Sequence, residues 1–202
     1  MDNQPHLIPA AAVKGIASGL LMMASFTLIW AGIAYGGLHT SVLAWALVLF
    51  PVLAIMFIAN GISLFRLSKQ FPKVESEEDK AEGKKMSMWF GIIFGAEGLL
   101  IFIAINIVIN LGHPELTIPV IALVVGLHFY PMAKVFKRTI DYYLATWSTI
   151  IAILSIVFSL NHTLSQPNIL AFTGIGLAVA TSCYGLYMAY RGRELPRPAA
   201  MN

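Results

Sequence analysis

Two long stretches of this chain carry no formal charge. Gly15 to Phe65 and Tyr142 to Tyr190 contain no Asp, Glu, Lys or Arg. Each is about twice the roughly 20 residues that a helix needs to cross a hydrocarbon core, so each predicts two spans joined by a tight, uncharged turn. Between them, Met86 to Ala133 holds only Glu97 and Glu115 as charged residues and predicts two more. Apolar runs this long exclude barrel strands, and only helices or closed barrels satisfy backbone groups in lipid. The pattern therefore predicts an all-α, polytopic membrane protein, a single transmembrane domain over residues 1–202. Its six spans fall at about 13–36, 41–66, 86–111, 116–136, 141–160 and 168–190, with a charged linker at 67–85.

Turn chemistry separates the spans. Gly36-Gly37 with Thr40-Ser41, Gly112-His113-Pro114, and Asn161 through Pro167-Asn168 mark three short connections. None of the three contains Lys or Arg. The cations lie instead before the first span (Lys14), in the linker (Arg66, Lys69, Lys73, Lys80, Lys84, Lys85), between the fourth and fifth spans (Lys134, Lys137, Arg138) and after the sixth (Arg191, Arg193, Arg197). By the positive-inside rule both termini are expected in the cytoplasm of a bacterial-type inner membrane. In the linker, Ser76 with Asp79 reads as a capping box that opens a short helix leading into the third span.

Only then does composition add something. The chain is 58% hydrophobic and 11% charged, far below the roughly 25% charged residues of soluble domains. The net charge of +3 carries no basic footprint, because the five Lys of Lys69 to Lys85 are balanced by Glu75, Glu77, Glu78, Asp79 and Glu82. A nucleic-acid partner is therefore not expected, whereas the lipid bilayer is. The single cysteine, Cys183, excludes an internal disulfide and reads as a small buried residue. Trp30, Trp45, Trp89, Trp147, Tyr142 and Tyr143 read as interface anchors.

A threefold pattern overlies the topology. Each outer turn carries a histidine (His39, His113, His162), and each returning span ends in a basic cluster, as if three helical hairpins followed one another. Small residues four apart, at Gly15/Gly19, Gly32/Gly36, Gly91/Gly95, Ala122/Gly126 and Gly174/Ala178/Ser182, predict close helix packing and would also suit a homo-oligomer. Ser148, Ala152, Ser155, Ser159 and His162 follow a helical repeat along the fifth span, which predicts a small, hydroxyl-lined face.

The candidate chemistry centres on Glu97. Twelve residues beyond Lys85, it lies roughly 18 Å deep, near the middle of the bilayer, where an ionisable group is costly unless paired or neutralised. His128 lies about nine residues, or some 14 Å, from Lys137 on the antiparallel neighbour, so the depths match and a contact is predicted. Pro131 cannot donate to the Leu127 carbonyl, which frees an acceptor beside His128. Asn60, Asn106 and Asn110 are further polar candidates for a ligand or proton site, and Pro51 is expected to kink the second span. On the third span the Gly91, Gly95, Phe102, Asn106 and Asn110 face lies almost opposite Glu97. A central third span, packed on both sides, is the expectation. His39, His113, His162 and Glu115 form a weaker metal-ligand set, drawn from separate turns with no local spacing to enforce it.

No Walker A loop, dinucleotide fingerprint, HExxH or GxSxG is present, and no cofactor is implied. Three functions follow as alternatives. The first is transport or sensing of a small solute through a protonatable Glu97/His128 site. The second is a structural or assembly role in which polar residues only fasten helices. An intramembrane enzyme is the third, for which no nucleophile–base arrangement is visible.

Overall fold

The computed structural model describes residues 9–71 and 77–195. Among these residues it is all-helical, and six helices are long and apolar enough to cross a membrane. They are α1 (Ala10–Leu38), α2 (Leu49–Leu67), α3 (Glu77–Asn110), α4 (Thr117–Phe136), α5 (Thr139–Leu160) and α6 (Gln166–Arg193). The Ser76 cap lies outside the described residues, and α3 runs unbroken from Glu77 through the charged segment into the apolar one.

Prolines act at helix starts. Val42–Val48 is a 3-10 segment, and Pro51 falls in the first turn of α2 behind it. There a missing N–H costs no helical bond, so the helix changes type rather than kinking midway. Pro167 opens α6 in the same way. The connection from α4 to α5 needs only Lys137 in the left-handed conformation, at φ 52°, before Arg138 caps the next helix.

Each sequential hairpin pair touches, yet the main contacts cross hairpins: α1 packs along α6, and α4 along α5. The resulting spatial order is α2, α1, α6, α5, α4, α3. Neighbours along this order are antiparallel: Gly19 of α1 meets Met188 of α6 while Ala34 meets Gly174, and short connections reverse the chain at the other junctions. Lys14, Arg66, Lys134, Lys137, Arg138, Arg191 and Arg193 therefore gather at one end of the bundle.

Small side chains make α6 the most buried helix. A Cβ at Gly174 would stand 2.5 Å from the Ala34 nitrogen and 2.7 Å from the Trp30 oxygen, so only glycine allows this backbone approach. Ala178 and Ser182 continue the buried stripe. The α5 stripe of Ser148, Ala152, Ser155 and Ser159 is buried, and it bonds to α6 where Thr173 donates to Ser155 Oγ at 2.7 Å. Thr27 likewise donates to Thr181 at 3.0 Å between α1 and α6. Ala122/Gly126 packs against Ser148 and Thr149 of α5.

Four expectations need correction. The third span is not central: among the described residues α3 packs chiefly on α4, and it is the least buried of the six. Its Gly91/Gly95 face is open, as are Gly15, Gly32 and Gly36, with nothing within 4 Å of an added Cβ. Trp30 is buried between α1 and its neighbours rather than anchored at an interface. Cys183 is exposed on the outer side of α6. In each case an apolar or small residue is stable against either lipid or protein, so its type alone does not choose between them.

Candidate functional site

Glu97 projects from the middle of α3 and His128 from α4, one turn before Pro131. Glu97 Oε1 lies 3.3 Å from His128 Nδ1, and the two side chains are only 10% and 9% exposed. The distance suits an ion pair, but the ring nitrogen is not aligned for a hydrogen bond and has no hydrogen-bond partner among the described residues. Phe94 meets the His128 ring edge-on with centroids 5.6 Å apart, and Phe129 packs at 4.2 Å. The imidazole is thus packed against aromatic rings, with its Nδ1 near the carboxyl but not bonded to it.

A groove of about 470 Å³ runs between α3 and α4 and reaches both groups. Its walls are aliphatic, with Ile92, Leu100, Ile103, Ile107, Val124 and Leu127 prominent, and Pro131 also lines it. Glu97 and His128 are its only titratable lining residues. Pro131 lies inside α4, where it has no N–H to donate to the Leu127 carbonyl. The site therefore offers a carboxyl and an imidazole inside an otherwise apolar cleft. Such a set exchanges a proton internally and accepts hydrogen bonds or a positive charge from a guest.

The remaining candidates do not join it. Asn106 and Asn110 lie on the exposed back of α3, where their amides donate to the Phe102 and Asn106 carbonyls of their own helix. Asn60 does the same to Met56 on α2, at the other edge of the bundle. His39 bonds the Gly36 carbonyl at 3.0 Å, while His113 contacts Glu115 at 2.9 Å. Among the described residues no three His, Cys, Asp or Glu side chains come together as metal ligands, so the outer-histidine set does not converge.

A second polar cluster went unread in the sequence. Asp141, in the first turn of α5, is fully buried, and neither carboxyl oxygen has a hydrogen-bond partner among the described residues. Arg138 and Tyr184 are its polar neighbours, and Arg138 donates to the Tyr184 hydroxyl at 3.0 Å. The favourable field of the α5 N-terminus gives a carboxyl reason to sit there. The available signal was that Asp141 is the one acidic residue between Glu115 and Glu194, set directly against a basic turn. Tyr184 in turn stacks edge-on against Phe129, next to His128.

No protein-family model, curated protein or solved structure matches the chain.

Proposed function

We propose that this chain is a multi-pass protein of a bacterial-type inner membrane, with both termini cytoplasmic, that transports or senses a small solute at a protonatable site formed by Glu97 and His128. The observation that carries the reading is the groove itself, because it reaches a carboxyl–imidazole pair in mid-helix. A carboxyl there is costly to keep in a membrane, and by default marks a functional position. A purely fastening pair has no need of an opening beside it.

One observation favours the second reading, a structural clasp. Among the described residues helix α3 packs chiefly on α4, so the pair also stands where α3 most needs holding. Reachability separates the two. In native membrane vesicles, dicyclohexylcarbodiimide, an apolar reagent that enters from lipid, should form a covalent adduct on Glu97, read by peptide mass spectrometry and abolished by Glu97→Gln. A water-soluble carbodiimide should label it much more slowly. Absence of the adduct under conditions that label a lipid-exposed control carboxyl would make the pair a sealed clasp.

A further inference from the structure

The lips of the α3–α4 groove say which phase it opens to. Ile92, Leu100, Ile103, Ile107 and Leu127 line it and are each substantially exposed. All are large aliphatic side chains, and they belong to the two helices at one edge of the bundle. An exposed aliphatic rim in mid-span faces acyl chains rather than water. The guest must then be soluble in the hydrocarbon layer. Inside, the only titratable groups are Glu97 on α3 and His128 on α4, and no Lys or Arg lines the groove to oppose a positive charge. His128 Nδ1 is buried, 3.3 Å from the carboxyl, and makes no hydrogen bond among the described residues, so no hydrogen bond between the two has to break when a guest pairs with Glu97.

We infer that the guest is a lipophilic monocation, an apolar body bearing one positive charge, that enters the groove sideways from the bilayer and pairs with Glu97. The inference rests on the proposed Glu97/His128 site and specifies its ligand class. Charge balance describes the exchange. The pair binds the cation as a carboxylate beside a neutral imidazole, so one proton leaves the pair as one cation arrives. Carboxylate and cation then neutralise each other where a net charge would be costly. A groove of this size is within the ordinary range for small-molecule sites, about 300–1,000 Å³.

The test uses the purified full chain in phospholipid nanodiscs and two probes of the same shape and opposite charge, tetraphenylphosphonium and tetraphenylborate. Tetraphenylphosphonium should suppress carbodiimide labelling of Glu97 saturably, and tetraphenylborate should not. Bound tetraphenylphosphonium should be lost in Glu97→Gln and kept in Asn106→Leu on the back of α3. Equal protection by both ions would mean simple apolar occlusion, as by a lipid tail, and would overturn the cation assignment while leaving the site reachable. Protection by neither, with Glu97 still labelled, would also overturn it. If Glu97 is not labelled at all, the proposed site itself falls.

Discussion

Gly174 and Gly95 look alike in the sequence, each a glycine in a small-residue stripe, and differ wholly in their surroundings. At Gly174 an added methyl meets the backbone of Ala34 and Trp30, which cannot move without separating α1 from α6. At Gly95 it meets nothing within 4 Å. Overpacking a tight contact costs about 1–3 kcal/mol, whereas Gly→Ala on an open helical face gains up to about 1 kcal/mol of helix propensity. Gly174→Ala should therefore lower the melting temperature in detergent, and Gly95→Ala should leave it unchanged or raise it. The hydroxyl bonds nearby, Thr27–Thr181 and Thr173–Ser155, are weaker fasteners. Interhelical bonds of this kind average about 0.6 kcal/mol in double-mutant cycles. Close packing contributes more than these bonds to holding α6 at the centre.

At the scale of the helix, α3 sets the pattern apart from an ordinary bundle. Among the described residues it packs chiefly on α4, and one stripe of its surface is protein-facing: Ile93, Glu97 and Val108 are buried, while Ile92 and Ile109 are exposed. Ile93→Ala should destabilise the fold by up to the roughly 2–5 kcal/mol of a buried large-to-small change. Ile92→Ala should be nearly silent, because lipid fills the space it leaves. A chemical-denaturation series in mixed micelles distinguishes them. The same helix shows what was legible beforehand. Helices were readable because charge-free length has one structural solution in lipid, and the Glu97–His128 contact because the rise per residue converts distance from a basic boundary into depth. The edge position of α3 was not readable, since Gly91, Phe102 and Asn106 repeat at helical spacing whether they face a neighbour or a bilayer. Nor was Asp141, whose position beside Lys137 and Arg138 resembles a solvated turn until α6 is packed over it.

The whole molecule gathers its described cations at one end, the feature on which the inner-membrane orientation depends. In a Cys183→Ser background, single cysteines at Thr40 and Ser165 should react with an impermeant maleimide added outside intact cells. One at Lys137 should react only after the membrane is opened; external labelling at Lys137 would invert the proposed topology. Within that frame the central claim is that a carboxyl on the edge helix and an imidazole on the helix it packs against act as a single protonation unit at the floor of a lipid-facing groove. The most direct measurement is infrared titration of the purified protein in lipid, following the C=O band of the protonated carboxyl. The account predicts a band that is absent in Glu97→Gln, grows as pH falls, and changes its midpoint when His128 is replaced by leucine. A Glu97 band whose titration is the same with and without His128 would contradict it.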